Sequence, residues 1–539
     1  MLRSLALVGM LPVFLLAASC EQTPPPRHEE ALPHLQCVAG DLASLGLRSA
    51  VYVSPQGNDA KGCGATVSTA CRTLQRGIDS CHGPGCGVLV RHGLYVIDET
   101  LTLSDGVAVH GGCLFDGEAS HRYRTVVQAS TQAGAPAVSA TAIVSPTVIA
   151  NLMVIARDET GPADGRASVA MRVTRSSGLA LREVTLVGGK GGEGTSGTSS
   201  TQPGDTGGTG TDARDENQGS GGAAPAPQST FAGRGGDGNW AALRITNGGN
   251  LGPICGGPGG INAGNASGAV PGGIAGVDGS EGLWCPGRPH DGPGDGQPGA
   301  PGRTGACGAA AKASTRTAGS FDGTAWQPSL GGSGARGDVG SGGGGGGRGG
   351  ACCWDDCYQG RAGGGGAGGG GGGGHGGAGQ QGGASLPLLL VDSHVSVVGA
   401  GNHLIPGPGG RGGDAGSAAS GGPGGSGGAG GNSGQQNLYW GHWCGGVGAR
   451  GGAGGRGGAG SGGAGGNGGP SVGVGLVDGS SARTSTGGIY DGQPGSPGHK
   501  GKGAPGRAAG DCSGPDGEEG LPAASGPFLA IPSPAEQGS

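Results

Sequence analysis

The sequence predicts an all-β solenoid, a stack of short-stranded coils interrupted by glycine-rich insertions. From Val88 onward, short apolar runs rich in β-branched residues alternate with turn residues, as strands do. The stretch 148–154 matches 179–186 at an offset of 32 residues, with Asn151 aligned to Glu183. Strands that return at a constant interval are what stacked coils require, because each coil buries its inward residues on the next.

The individual elements follow from the same pattern. A β-sandwich is the competing interpretation, but it favours hairpin turns such as Asn-Gly, which are scarce here. Helical spacing is confined to 73–78. The predicted strands of the first part of the chain lie at 88–90, 101–103, 107–109, 125–127 and 148–150.

The start of this β-rich part resembles a known family. Residues 51–59 read VYVSPQGND and residues 69–78 read TACRTLQRGI. Both stretches resemble the start of a domain of unknown function that begins many right-handed parallel β-helices of the pectin-lyase-like superfamily. The stretch 107–124, with its Gly-Gly pair and Arg122, is similar to a coil of such proteins. The resemblance implies a right-handed parallel β-helix whose first coil is capped by a short helix, although Ala70-Cys71 replaces the expected Pro-Phe.

In the rest of the chain, glycine recurs at a fixed spacing. The sequence holds 141 glycines in 539 residues, and glycine occupies every third position from 451 to 469. A period of three is that of polyproline-II-type helices, so we expect packed polyglycine-II-like helices. A collagen-like triplex and a flexible linker remain alternatives, although a linker has no reason to keep register. In composition, the Gly-Gly-x repeats resemble the PGRS tracts of mycobacterial surface proteins.

The glycine tracts adjoin strands in a regular way. The stretches 168–173, 385–390 and 471–476 each read Ser, apolar, x, apolar, x, apolar. Each continues through a serine, at Ser177, Ser393 or Ser480, toward a new tract, so we expect insertions at one corner of successive coils. The predicted organisation is a signal peptide (1–19), a lipidated tether (20–49), a β-helix core (50–187), a glycine-rich region (188–384), a coil (385–406), a glycine-rich insertion (407–470), a coil (471–491) and a glycine-rich tail (492–539).

The first residues predict export and a lipid anchor. Arg3 precedes an apolar run at 5–18, which has the length of a signal-peptide core. The run ends in Leu-Ala-Ala-Ser-Cys, which resembles the lipobox of bacterial lipoproteins and implies a diacylglycerol on Cys20. An ordinary secretory signal is the alternative. The resemblance implies a protein on the outer membrane or cell surface, and Glu21, where inner-membrane lipoproteins often have Asp, favours that location.

Charge and cysteine content limit the function classes. The net charge of −6 is spread thinly, which argues against a nucleic-acid partner because that needs a concentrated basic face. Without Cys20, fourteen of the fifteen cysteines remain, and outside the cytoplasm an even number indicates disulfides. The run Cys352-Cys353 to Cys357 looks like a metal cluster, but adjacent cysteines suit one tetrahedral zinc poorly.

Candidate groove residues lie in the first coils. Asp98, Glu99, Asp105 and Asp116 are the nearby acids, and Asp105-Gly106 and Asp116-Gly117 are also ordinary turn pairs. We expect no cofactor, with a structural calcium left open at Asn58-Asp59 or Asp158-Glu159. The sequence favours a structural or adhesive surface lipoprotein that contacts the membrane and polysaccharide or other surface components; the alternative is a polysaccharide lyase or hydrolase. The groove candidates are His110, Asp116, His121, Arg122 and Arg124.

Overall fold

The structure is a computed structural model. It describes residues 37–83, 85–115, 124–214, 218–223, 272–277, 282–283, 295–349, 352–353, 361–431, 437–438, 441–442, 446–484 and 488–533. The predicted signal peptide, Cys20 and most of the tether lie outside these residues. Within them, no helix combines the length and the apolar character that crossing a membrane requires.

Strands dominate the described residues. One α-helix, α1 (Leu74–Ser80), and one 3-10 turn, Val67–Thr69, accompany them. The strands are β1 (Ser49–Val53), β2 (Cys86–Arg91), β3 (Gly93–Ile97), β4 (Leu101–Leu103), β5 (Ala108–Cys113), β6 (Thr125–Ala129), β7 (Val138–Thr141), β8 (Thr147–Ala150), β9 (Leu152–Ile155), β10 (Ser168–Thr174), β11 (Leu179–Arg182), β12 (Thr185–Val187), β13 (Gly282–Leu283), β14 (Ser320–Phe321), β15 (Trp326–Gln327), β16 (Cys352–Cys353), β17 (Ser385–Val391), β18 (His394–Val398), β19 (His403–Ile405), β20 (Asn437–Leu438), β21 (Gly441–His442), β22 (Ser471–Val477), β23 (Ser481–Thr484), β24 (Gly488–Ile489) and β25 (Ser525–Ala530).

Three large sheets share these strands. The first has the order β1-β2-β5-β8-β11-β18-β23, the second β25-β22-β17-β10-β7-β4 and the third β24-β19-β12-β9-β6-β3. Every pair of neighbours in the three sheets is parallel. The predicted all-β class is therefore confirmed, and it takes the form of parallel sheets. The helix predicted at 73–78 is confirmed as α1.

The predicted repeats pair in the predicted register. Val148 pairs with Ala180 in the first sheet, and Val154 pairs with Leu186 in the third, which is the offset seen in the sequence. The three strands that follow the Ser-apolar pattern, β10, β17 and β22, are neighbours in the second sheet. The C-terminal tail also returns to this sheet, because β25 pairs with β22.

One apolar cluster draws on all three sheets. Ile149 and Leu181 come from the first sheet, Met171 and Leu388 from the second, and Leu186 from the third, and each is at most 1% exposed. These side chains alternate with outward ones along their strands, as period-two strands require. The parallel sheets therefore bury a shared core.

The turns after the strands repeat one backbone conformation. Asn151 and Glu183, aligned in the sequence, both have φ of 53°. Arg175, Asp392 and Asp478, which follow β10, β17 and β22, also lie in the left-handed region, with φ of 48°, 47° and 54°. Since L-residues seldom adopt this region, its recurrence shows that successive turns are built alike.

A buried serine ladder follows those turns. Ser176 N donates to Ser393 Oγ at 3.0 Å, and Ser393 N donates to Ser480 Oγ at 3.0 Å. Ile143 N donates to Ser176 Oγ in the preceding layer at 2.9 Å. The expected counterpart, Ser177, is wrong by one residue, because the left-handed Arg175 brings Ser176 into line with Ser393.

The outer faces of two sheets are covered. Phe321 and Trp326, from the hairpin of β14 and β15, pack on Val169, Leu386 and Val472 of the second sheet. The segment after Cys37 packs on Leu89 and Phe115 beside the first sheet. Four disulfides join described residues, as the cysteine count predicts: Cys37–Cys113, Cys63–Cys71, Cys81–Cys86 and Cys307–Cys512.

The described glycine segments are hydrogen-bonded to one another at every third residue. Segment 448–469 runs antiparallel to 410–431, since Gly463 N donates to Gly416 O and Gly469 N donates to Gly410 O, at 3.1 and 2.8 Å. Segment 361–384 runs parallel to 449–467, since Gly376 N donates to Ser461 O and Gly382 N donates to Asn467 O, at 3.0 and 2.9 Å. These bonds lie within one chain, which neither a three-chain collagen triplex nor an unpaired linker predicts.

Candidate functional site

His110 lies on the outer face of the first sheet. It pairs with Leu89 of β2 and Ala150 of β8, and Arg182 extends the same row one strand further. Val109 and Cys113 of the same strand are buried. His110 is only 6% exposed, because the outer face at this end of the sheet is packed against other segments.

Burial determines the charge of this histidine. Desolvation, helped by the positive charge of Arg182, lowers the pKa of His110 to about 4. Its Nε2 has no hydrogen-bond partner among the described residues, which costs less for the neutral ring than for the charged one. His110 is therefore neutral near pH 7, and it is too weak a base there to take a proton readily.

The other groove candidates do not gather around His110 in the described part of the chain. Arg124 is exposed at the start of β6, where its carbonyl accepts a hydrogen bond from Gly93 N at 3.2 Å. Asp116, His121 and Arg122 lie outside the described residues. The charge that acts on His110 is that of Arg182, which sequence reasoning missed although β8 and β11 were recognised as repeats.

Asp105 performs the turn role that its sequence context predicts. Its Oδ1 accepts hydrogen bonds from Val144 N and Ser145 N at 2.8 and 2.7 Å, and its Oδ2 accepts one from Ser145 Oγ at 2.8 Å. These bonds to Ser145 lower the pKa of Asp105. Gly106 follows with φ of 75°. The carboxylate is thus engaged in joining two successive turns.

An open cleft lies beside this turn. Its volume is about 690 Å³, and its lining includes Asp79, His82, Ser104, Asp105 and Ser145. Asp105 is already bonded to Ser145. Asp79 accepts a hydrogen bond from Gln75 Nε2 at 2.8 Å. The two acids of the cleft are therefore engaged within the chain, Asp105 with the turn at Ser145 and Asp79 with Gln75 of its own helix.

The carboxylates at the predicted calcium positions also accept hydrogen bonds from backbone N–H groups. Asp59 Oδ1 accepts from Arg72 N and Thr73 N at 2.7 and 3.1 Å, next to the Cys63–Cys71 disulfide, whose oxidised sulfurs are not thiolate ligands. Asp158 Oδ1 accepts from Lys190 N at 2.7 Å.

Glu159 is held in the same manner. It is 6% exposed, and its Oε1 accepts from Gly134 N at 2.9 Å. Burial raises the pKa of Glu159, and this outweighs the lowering by Gly134, Arg157 and Arg166. Its carboxyl group therefore holds one turn against another.

One glycine segment presents a row of hydroxyl groups, which we call the hydroxyl face. The segment 191–213 donates every third backbone N–H of its regular stretches to 408–429, for example Gly194 N to Arg411 O at 2.8 Å. Most residues between these donors are exposed, including all of the threonines and serines. The hydroxyl face consists of Ser196, Thr198, Thr201, Thr206 and Thr209. The hydroxyls of the exposed Thr195, Ser199 and Thr211 are bonded to Ala163 O, Ser417 N and Ser220 N. Sequence reasoning missed this face, although its threonines already recur beside glycine at period three.

Comparisons with known proteins return no relative. No protein-family model matches the chain, and neither a curated protein nor a solved structure matches it.

Proposed function

We propose that this chain is an exported, lipid-anchored surface protein with a structural and adhesive role. In this proposal a right-handed parallel β-helix supports a layer of polyglycine-II-like helices, and the outer face of that layer contacts polysaccharide or other surface components. The observation that supports it most directly is the dense backbone hydrogen bonding among glycine segments, because it joins extended segments closely with few and mostly small side chains between them.

The parallel sheets support the β-helix part of the proposal. Consecutive strands such as β10, β11 and β12 enter the second, first and third sheets in turn, and β17, β18 and β19 repeat that order one layer further. One layer thus stacks on the next through all three sheets. The glycine segments 188–214, 407–431 and 492–505 each follow the last strand of such a layer, as insertions at one corner would.

The bonding of one central segment supports the rigidity of the glycine layer. Segment 361–384 is hydrogen-bonded to four others, through Gly377 N to Thr198 O, Gly416 N to Gly377 O, Gly376 N to Ser461 O and Gly334 N to Gly376 O, at 2.8 to 3.0 Å. A Cβ on most of these glycines would overlap a neighbouring backbone carbonyl. Only glycine permits this approach, so the tracts serve as packing elements and not as linkers.

The hydroxyl face supports the adhesive part. Threonine and serine offer donors and acceptors for the hydroxyls of a polymer, and they are exposed along a segment that its neighbours hold straight. Multiple weak contacts along an extended surface add through effective concentration. Such a surface suits retention of a repetitive polar polymer and needs no catalytic group.

The first experiment tests the anchor. We expect metabolic labelling of the chain with a fatty-acid analogue, and we expect Cys20→Ser to abolish it because the lipid is attached to that thiol. Ser19→Ala is the matched control and should keep the label, since it preserves a small residue before the cysteine. Label that persists in Cys20→Ser would remove the lipid anchor from the proposal.

The second experiment separates adhesion from catalysis. The full chain is applied to pectate, alginate and neutral polymers with calcium, and both retention of the protein and the length of the polymer are measured. We expect retention that weakens in Thr206→Glu plus Thr209→Glu, with no polymer shortening. Shortening that is lost in His110→Ala or Asp116→Asn would instead favour the polysaccharide-active enzyme.

A further inference from the structure

One disulfide of the glycine segments is open to solvent. Cys307 is partly exposed and its partner Cys512 is exposed. Each of the other three described disulfides contains a cysteine that is at most 4% exposed. These are Cys37–Cys113, Cys63–Cys71 and Cys81–Cys86. Since exchange requires a thiolate to reach a disulfide sulfur, Cys512 is the most accessible target among the described disulfides.

Cys512 follows an exposed turn between two glycine segments. Gly514 N donates to Ala504 O at 2.8 Å, which joins the segments on either side of the turn. Residues 507–510, at the tip of the turn, are exposed. The sulfur of Cys512 therefore lies at an outer corner of the packed glycine segments.

Backbone hydrogen bonds hold both halves of this disulfide in place independently of the sulfur bridge. Beside the first cysteine, Gly308 N donates to Ala459 O at 2.9 Å. Beyond the second, Gly462 N donates to Pro515 O at 3.0 Å. Opening the bridge therefore releases neither segment, and the two sulfurs stay near enough to close it again.

The surroundings of Cys512 attract anions. Arg456, Arg507 and Asp511 line a small cavity together with Cys512. Arg456 Nη1 pairs with Asp511 Oδ2 at 2.9 Å. Arg507 is exposed and makes no ion pair within the described part of the chain. Its positive charge draws a negatively charged molecule, and hence a thiolate, toward the sulfur of Cys512.

We propose that Cys512 is a site of reversible thiol–disulfide exchange with a small thiol that carries a negative charge. The thiolate sulfur of the incoming molecule attacks Cys512 Sγ, and the bond to Cys307 Sγ breaks as the new sulfur–sulfur bond forms. The electron pair of the broken bond leaves on Cys307 Sγ, which takes a proton from water. The incoming sulfur is oxidised and Cys307 is reduced, so the step needs no further oxidant or reductant.

The product is a covalent attachment point on the glycine segments. The molecule is attached to Cys512 because this residue is more exposed than Cys307. Attack by the thiolate of Cys307 on Cys512 Sγ expels the molecule again, since the backbone bonds keep the two sulfurs close. This chemistry is separate from the contacts of the hydroxyl face and does not depend on them.

The first test maps the exchange on the full, folded chain. Mercaptoacetate is added at low excess without denaturant, free thiols are alkylated, and mass spectrometry identifies the state of each cysteine separately. We expect the mercaptoacetate adduct on Cys512 and an alkylated thiol on Cys307, with the buried pair Cys37–Cys113 unchanged as the matched control. In a sample that is not alkylated, removal of the thiol should restore the bond. An intact Cys307–Cys512 bond, an adduct on Cys307 instead, or equally fast opening of the buried pair overturns the proposal.

A second test measures the charge preference of the site. Exchange rates are compared for mercaptoacetate and for the cationic thiol cysteamine, and their ratio cancels any general change in the accessibility of the sulfur. We expect Arg507→Glu to lower this ratio about 10-fold, because the charge beside Cys512 is reversed. Arg336→Glu is the matched control and should leave the ratio unchanged, since Arg336 is an exposed arginine of another glycine segment. An equal ratio in the wild type and in Arg507→Glu would show that the site does not select a negatively charged thiol.

Discussion

Gly463→Ala tests whether glycine is needed for backbone packing. Gly463 is buried, its N–H donates to Gly416 O at 3.1 Å, and its carbonyl accepts from Gly501 N at 2.9 Å. A Cβ there would lie 2.7 Å from the carbonyl carbon of Gly377 and would overlap its oxygen, and both partners are backbone atoms. Because neither can rotate away, one segment must shift by about an ångström relative to the other.

The cost can be worked from these contacts. Overpacking strain contributes about 2 kcal/mol, and two weakened hydrogen bonds contribute about 2 kcal/mol more. The lower entropy of the unfolded alanine chain offsets about 1 kcal/mol, so we expect a loss of about 3 kcal/mol in unfolding free energy.

Chemical denaturation followed by circular dichroism measures this loss, and hydrogen exchange at Gly501 should accelerate. Gly161→Ala is the control, because no atom lies within 4 Å of its added Cβ. If both variants are as stable as the wild type, the glycine segments are not close-packed and the reasoning fails.

Two further predictions concern buried polar groups. His110 binds its proton less tightly in the folded chain than when unfolded, so we expect folding stability to be full above about pH 6.5 and to fall by roughly 2–3 kcal/mol toward about pH 4. Denaturation at several pH values checks this, and a His110→Gln chain with an unchanged slope in that window would contradict it. Ser393→Ala should cost about 1–3 kcal/mol because the buried Ser176 N–H loses its acceptor. Exposed Ser196→Ala should change the unfolding free energy little, and equal effects of the two serine variants would argue against the ladder.

Local patterns were sufficient to locate many strands and several of their parallel pairings. The register of 148–154 on 179–186 was readable because inward side chains recur at a fixed interval and must stack on one another. The Ser-apolar stretches predicted that β10, β17 and β22 are neighbours, although more than two hundred residues separate the first two. The period of glycine likewise indicated ordered, extended segments.

Candidate site residues were harder to identify from the sequence. His110 looked like a groove residue because it lies near acids in the chain, but its charge depends on the packing around the first sheet and on Arg182. The sequence pattern aligns Ser177 with Ser393, but the left-handed turn at Arg175 makes Ser176 the equivalent residue. Asp105 was recognisable as a turn residue from its neighbour Gly106, but its bonds to Val144 and Ser145 depend on how two distant turns meet.

The sequence by itself determined what depends on neighbours along the chain, namely strand propensity, the repeat interval, the glycine period and the turn residues. Only the tertiary structure decided which glycine segments lie side by side and in which direction. A glycine at every third position gives the same pattern whether two segments run parallel or antiparallel. It also decided that Gln75 closes the edge of β4 while Leu94 and Val96 leave that of β3 open among the described residues. Such choices depend on backbone groups that meet across long stretches of chain, and these groups are chemically alike at every residue except proline.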